Sequence, residues 1–320
     1  MNFEDILHRR SINNTGFDNT TGNMSGRILN KDGSSNVIKA GIPWHRRMSL
    51  FHTLINMSWT QFIVLALLGF VITNLIFALL YFYFGIEQIG KDSDSNAIHD
   101  FMDCFFFSVQ TITTVGYGVL HPTSYLTNFL ASLEALFGWM AFAVLTGLLY
   151  GRFSKPTAYL IFSKNAVVAP YKDGQALMLR LAPYKNNTLT EAEVLLNVSF
   201  RMHENGKVVN KFFPLPAEIS KISALSLNWT VVHPINEHSP LYGMCKEDYS
   251  INQTEIMVFI KAFDEHFSNT VQQRTSYTAD EILHGAKFKQ MFRQSDDRKT
   301  TVLELNKLDD IEIMNESKTS

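Results

Sequence analysis

With 320 residues the chain has room for two folded units, and 28 basic against 30 acidic side chains leave a formal net charge of −2, which offers no electrostatic footprint for nucleic acid. Two cysteines, Cys104 and Cys245, are too few for a disulfide framework or a thiolate metal cluster and read as unpaired thiols. The average hydropathy resembles that of a soluble protein, but the apolar surplus is concentrated between Trp59 and Phe153, with polar sequence on both sides.

Residues 1–42 are rich in Asn, Ser, Thr and Gly and lack the apolar core of a signal peptide. They are expected to form a flexible tail in which Arg9 and Arg10 are solvated. From Pro43 the pattern changes. Trp44, His45, Arg46 and Arg47 precede Leu50, Phe51, Leu54 and Ile55, whose three- and four-residue spacing describes one helix face. Over 43–58 this predicts a basic amphipathic helix in a membrane interface, an ordinary surface helix being the alternative. Trp59 to Phe84 contains no charged side chain. Since about 20 apolar residues cross a hydrocarbon layer of about 30 Å, this is the first span. Asn74 is its strongly polar interior residue, expected to bond to another helix, and Trp59, Tyr81 and Tyr83 fit interfacial belts.

The polar stretch 87–96 reads as an exposed loop, and 101–113 as an apolar helix too short to span, which suits a re-entrant segment. It leads into Thr113-Thr114-Val115-Gly116-Tyr117-Gly118, where alternating glycines allow successive carbonyls to face one axis and replace the water around a dehydrated ion. TVGYG is the recognised signature of a potassium filter. Lying between two membrane-length segments, it is more than the ordinary turn that Gly-Tyr-Gly alone would suggest. After His121-Pro122, Tyr125 to Phe153 forms the second span. Within it Gly138 is a bending point or a close-packing residue. Phe142, Thr146 and Tyr150 recur every four residues, a stripe that either closes a pore by dewetting or packs against neighbours. Glu134, the acid of this span, is expected to anchor structure behind the filter, with a site near the ion path as the alternative. Arg152 and Lys155 put the remaining chain in the cytoplasm by the positive-inside rule.

After Pro156 the pattern turns to strands. Asp173-Gly174 joins Val167 and Val168 to Leu177 and Leu179, and Asn205-Gly206 joins 194–200 to Val208 and Val209. With further runs at 225–232, 256–263 and 271–277, the spacing predicts an all-β sandwich over 154–294, followed by a C-terminal tail over 295–320 that either packs on the sandwich or trails off. His203, His233, His238 and His266 lack metal-ligand spacing, and no nucleophile elbow or phosphate-binding glycine loop is present. An enzyme is not expected, nor a cofactor. A Rossmann glycine fingerprint after Phe153, which a nucleotide-gated channel would need, is missing too.

In this order of parts the chain resembles the inward-rectifier potassium channels, particularly their prokaryotic branch. The phrases Leu133-Glu134-Ala135-Leu136, Arg152-Phe153-Ser154-Lys155-Pro156, His233-Pro234-Ile235, Ser239-Pro240-Leu241-Tyr242-Gly243 and Asp280-Glu281-Ile282 extend the likeness beyond the filter. The resemblance implies a two-span pore domain over 59–153 with a cytoplasmic immunoglobulin-like sandwich. It further implies a homotetramer in the plasma membrane, the bacterial inner membrane, with both termini cytoplasmic. By the same resemblance Thr114, Val115, Gly116, Tyr117 and Gly118 would form the potassium-binding filter, Tyr150 would sit at the bundle crossing, and Phe142 would occupy the cavity position where strong rectifiers carry an acid. Glu191 resembles one acidic position of the cytoplasmic pore, while Lys261 reverses another, so block by polyamine or magnesium is expected to be weak. The acid and base that brace the filter in animal members are replaced by Gln110 and Leu120, and their flanking disulfide is missing. Arg46, Arg47, Arg152 and Lys155 would gather anionic phospholipid or phosphoinositide, the alternative being charge that serves topology alone. A membrane-anchored β-sandwich receptor that conducts nothing is the rival reading.

Overall fold

A computed structural model of the chain describes residues 26–38, 40, 41, 43, 49–93, 96–204 and 207–314, the side chains of residues 203, 204 and 207 excepted. Two compact units emerge, one from residues 40–155 and one joining the first residues up to 39 with 156–320.

The first unit is helical. A short helix α1 (Leu50–Asn56) precedes α2 (Trp59–Phe84), the turn of 3-10 helix Ile86–Ile89, α3 (Ala97–Ile112) and α4 (Tyr125–Phe153). Both long helices are apolar enough to cross a membrane, at 26 and 29 residues, and most of their surface is unburied in the single chain. Each starts at a serine whose hydroxyl accepts a backbone N–H while the third helical residue bonds back: Ser58 with Gln61, and Ser124 with Thr127. These boxes fix where the helices begin without placing a charge in the bilayer. Part of the predicted interfacial segment, including Arg46 and Arg47, lies outside the described residues.

The second unit is a sandwich of two five-stranded sheets. One sheet carries β1 (Leu160–Phe162), β3 (Gly174–Pro183), β2 (Ala166–Tyr171) and β10 (Ile282–His284), with β7 (Trp229–Ile235) also on β3. The other carries β5 (Lys207–Leu215), β4 (Leu189–Glu204), β8 (Glu255–Asp264) and β9 (Asn269–Thr278), with β6 (Lys221–Leu225) also on β4. Alternation decides the core. Leu177, Leu179 and Leu181 meet Val194, Leu196, Val198, Ile256, Val258 and Ile260 between the sheets. Both hairpins read from Asp-Gly and Asn-Gly are present, with Val168 opposite Leu177 and Met202 opposite Val209. The run at 225–232 is two strands and not one: Leu225 ends β6 in one sheet and Trp229 begins β7 in the other, so this is where the chain crosses between layers.

Residues 27–36 depart from the flexible tail expected of 1–42, and the described part of the C-terminal segment packs on the sandwich, one of its two expected arrangements. Ile28 and Leu29 are buried against Phe212, Met257 and Phe259 on the outer face of the second sheet. Glu255, itself buried, accepts the backbone N–H groups of Ile28 (2.8 Å) and Leu29 (3.0 Å). Arg27 adds a two-point ion pair with Glu281, at 3.3 and 2.9 Å. At Gly33, φ is +84° and a Cβ would stand 2.3 Å from the carbonyl oxygen of Arg274, so only glycine fits that approach. Residues 27–36 therefore form a strap, because two apolar side chains and one distant carboxylate offset the chain entropy that its polar composition leaves unopposed. Arg9 and Arg10 lie outside the described residues. At the other end, β11 (Ala286–Phe288) pairs with β14 (Ile311–Ile313), and β12 (Phe292–Gln294) with β13 (Thr301–Leu303). Phe288 covers Met178, while Met291 and Leu308 cover Ala182, on the outer face of the first sheet.

Candidate functional site

Helix α3 ends at Ile112, and the six residues after it hold the predicted filter. Thr114, Gly116 and Gly118 have φ of +61°, +51° and +83°, while Val115 and Tyr117 between them stay outside that region. Alternation of backbone handedness is what turns successive carbonyls to one side. Gly116 and Gly118 supply it without a steric penalty, and Thr114 adopts it against its side chain.

The loop is fastened to its own helix. The amides of Val115 (2.9 Å) and Gly116 (3.2 Å) both donate to the carbonyl oxygen of Gln110, and that of Thr114 donates to Thr111 (3.0 Å). The backbone of Gln110, and not its side chain, thus holds the filter's first half. Beyond the filter, His121 N–H donates to Ile89 O (3.0 Å) and Thr123 N–H to Gln88 O (2.9 Å). Thr127 Oγ1 donates to the same Gln88 oxygen (3.0 Å). The stretch expected as a plain exposed loop thereby becomes a clamp, with Ile86 and Ile89 buried beneath it. Leu120 packs on the same apolar cluster. These contacts stand where the resemblance left a disulfide and an ion pair missing.

Gly138 is buried on α4, and a Cβ there would lie 2.2 Å from the carbonyl oxygen of Ile112. Of the two sequence readings for this glycine, the geometry supplies a reason for close packing: the inner helix touches the backbone at the end of α3. Glu134, one turn earlier on α4, lies behind α3. Its Oε2 accepts from Tyr81 Oη at 2.8 Å, and its Oε1 faces Ser108 Oγ. Ser108 Oγ also lies 3.0 Å from Asn74 Oδ1. All four side chains are buried. Asn74 and Glu134 were each visible in sequence as lone polar residues in apolar spans, a signal that they share a partner; Ser108 was missed. Phe142, Thr146 and Tyr150 line an exposed stripe of α4 in the single chain, with Thr146 Oγ1 bonded at 2.8 Å to the carbonyl of Phe142.

At the end of α4, Arg152 reaches the last turn of α1. Its Nη1 donates to the carbonyls of Leu54 and Ile55, and its Nη2 to that of Met57 at 2.8 Å, while the guanidinium lies 4.6 Å from the rings of Trp59 and Phe62. Arg152 is therefore the C-terminal cap of α1. A headgroup would compete with these carbonyls for the guanidinium. Gly151 lets Ile55 approach to 3.0 Å of where a Cβ would be. Lys155, in contrast, has an exposed amine that reaches Asn56 Oδ1.

In the β unit, Glu191 and Lys261 share one groove of about 400 Å³ with Thr190, Glu193, Lys221, Phe263 and Thr270. Glu191 has φ +50° and sits at an irregularity in β4 between Thr190 and Glu193, where its carboxylate meets Lys221 at 3.2 Å. Glu193 lies directly across the ladder from Lys261. Sequence reasoning found one acid and one base of this set; the other two balance them. His233 is buried, with Nδ1 2.8 Å from Pro216 O and Nε2 2.7 Å from Ser239 Oγ, and burial holds its pKa below the ordinary histidine value. Among the described residues no group of His, Cys, Asp or Glu is arranged to hold a metal, and both cysteines are free.

Comparison with known proteins agrees with this geometry. Residues 29–156 match the family model described as the inward rectifier potassium channel transmembrane domain, and residues 160–320 that of the inward rectifier potassium channel C-terminal domain. The inward rectifier potassium channel Kirbac3.1 of Paramagnetospirillum magnetotacticum is 38% identical over 291 residues, covering 89% of this chain and 95% of that protein. Inward rectifier potassium channel 18 of Homo sapiens is 27% identical over 313 residues, covering 89% of this chain and 72% of that protein. A two-span apolar unit, a filter loop with alternating backbone handedness, a following β-sandwich and matches to both family domains lead to one conclusion: the chain belongs to the prokaryotic inward-rectifier potassium channel family.

Proposed function

We propose that four copies of this chain assemble around one axis as a potassium-selective channel that passes the ion down its gradient across a bacterial plasma membrane, with both termini in the cytoplasm. The observation that carries this reading is the handedness alternation at Thr114, Gly116 and Gly118, fastened through Val115 and Gly116 to Gln110. Potassium bound at Thr114, Val115, Gly116, Tyr117 and Gly118 would be the transported substrate, and no other cofactor is invoked. Helix α3 ends at this loop, so the negative end of its dipole favours a cation there.

On this reading Phe142, Thr146 and Tyr150 face the axis, and the ring of Tyr150 closes the path by excluding water. Phe142 brings no carboxylate to the cavity, and Lys221 and Lys261 offset Glu191 and Glu193 in the sandwich groove. Rectification by polyamine or magnesium is accordingly weak. Anionic lipid, phosphoinositide included, is taken up by Arg46, Arg47 and Lys155 and biases the gate. Arg152 holds the last carbonyls of α1.

The deciding experiment is Gly116→Ala in proteoliposomes with rubidium uptake as the readout. Wild type takes up rubidium in preference to sodium, and the variant assembles but does not. A wild type that takes up no rubidium would point to a membrane-anchored receptor and end the channel reading, and a Gly116→Ala variant that conducts and selects normally would remove this loop from the ion path.

A further inference from the structure

The four buried polar residues behind α3 permit a proton count. Asn74 Nδ2 lies 2.7 Å from the carbonyl oxygen of Phe70, and only the N–H side of the amide can face an acceptor there, so Oδ1 is the atom turned to Ser108. Tyr81 spends its single proton on Glu134 Oε2. That leaves Ser108, with one hydroxyl proton, facing two oxygens: Asn74 Oδ1 and Glu134 Oε1. Were Glu134 a carboxylate, Ser108 could satisfy one of these and would turn a lone pair on the other. Water cannot make up the difference, since Asn74, Tyr81, Ser108 and Glu134 are each 0% exposed. Nor does a cation compensate: α2 presents Asn74 and Tyr81 here, α3 presents Ser108 and Cys104, and among the described residues no lysine, arginine or histidine forms an ion pair with Glu134.

We propose that Glu134 is held as a neutral carboxylic acid that donates from Oε1 to Ser108, making it the positioning residue that seats α3, and hence the filter, between the two spans. With that one proton added, each of the four contacts joins one donor to one acceptor. Glu134 donates to Ser108, Ser108 to Asn74, Asn74 to the Phe70 carbonyl, and Tyr81 to the remaining Glu134 oxygen. The path through Ser108 runs from α4 through α3 to α2, and Tyr81 donates back from α2 to α4. Because α3 carries the Gln110 carbonyl that fastens Val115 and Gly116, two residues beyond Ser108, its seating reaches the filter directly.

The functional half of the inference rests on the channel reading; the protonation state does not. The test compares infrared spectra of the full-length protein in lipid, wild type against Glu134→Gln, and the ratio of rubidium to sodium uptake for wild type, Glu134→Gln and Glu134→Ala. A protonated-carboxyl carbonyl band present at neutral pH in wild type and missing from Glu134→Gln is expected. Glutamine offers an N–H donor and a carbonyl in the places of the acid's O–H and C=O, so Glu134→Gln keeps the uptake ratio within about twofold of wild type, whereas Glu134→Ala loses roughly tenfold, the equivalent of one buried hydrogen bond. Should Glu134→Ala fail to assemble, Ser108→Ala takes its place. Identical infrared spectra for wild type and Glu134→Gln would overturn the protonation assignment, and a Glu134→Gln channel as unselective as the alanine variant would overturn the positioning role. A wild type that does not discriminate rubidium from sodium would sink the channel reading while leaving the infrared result to decide on the proton.

Discussion

The inner helix meets the end of the pore helix where Gly138 faces the carbonyl oxygen of Ile112, so closely that a methyl group on Gly138 would stand 2.2 Å from it. That contact is backbone against backbone, and neither side can rotate away. Gly138→Ala therefore costs about 1–3 kcal/mol of overpacking, although alanine is the better helix former. The expected result is a lower thermal midpoint of the assembly together with reduced rubidium uptake. A glycine needed only for bending would give way to alanine with little loss of stability, and an unchanged midpoint would favour that role.

Glu255 grips the N-terminal strap by its amides. Removing the carboxylate in Glu255→Ala leaves the N–H groups of Ile28 and Leu29 buried without an acceptor, at a cost of about 1–3 kcal/mol. Trypsin should then cut at Arg27 and Lys31 in the variant well before it cuts wild type. Equal cleavage rates would show that the apolar contacts and the Arg27–Glu281 pair hold the strap without Glu255.

Acid should weaken the β unit through His233. Its Nδ1–H donates to Pro216 and its Nε2 accepts from Ser239, an arrangement that the charged ring cannot keep. The folded state thus binds the proton less readily than the unfolded chain, so the stabilisation is complete above the ordinary value of about 6.5 and is lost as pH falls below it, by at most ~1.4 kcal/mol per pH unit. His284, also shifted down by burial and then by Lys246, acts in the same sense. Denaturation of the full-length protein followed from neutral to mildly acidic pH should show a shallower dependence in His233→Gln than in wild type. Parallel curves would remove His233 from the account.

Arg152→Lys tests the cap on α1. An ammonium cannot span the carbonyls of Leu54, Ile55 and Met57 as a planar guanidinium does, nor stack between Trp59 and Phe62 in the same way. Amide hydrogen exchange over 50–57 should quicken by about tenfold, corresponding to roughly 1.4 kcal/mol of lost local stability. Exchange at the wild-type rate would mean that Phe51 and Ile55 against Gly151 suffice.

What could be read from the sequence was local. Spans, filter and hairpins announce themselves within a window of a few residues: an uncharged run, alternating glycines, an Asp-Gly between apolar pairs. What escaped depends on partners far apart in the chain. The strap looks like a polar tail because its partner, Glu255, lies more than two hundred residues away. Which face the C-terminal segment covers is hidden for the same reason, its few apolar residues finding Met178 and Ala182 on a face that the strand pattern marks only as alternating. Ser108 is one serine in an aromatic helix, and its meaning appears only when Asn74 and Glu134 arrive from two other helices. Arg152 shows in sequence as a membrane-entrance base serving topology or lipid, since nothing in its neighbourhood reveals the carbonyls of Leu54, Ile55 and Met57.

The hold on residues 28 and 29 has an evolutionary corollary. A carboxylate that reads main-chain N–H groups is indifferent to which side chains pass beneath it, so this stretch can drift in composition provided one of the two remains apolar enough to fill the space beside Met257. Proline is the exception. Having no N–H to offer, it would be excluded at both places however well its ring fitted.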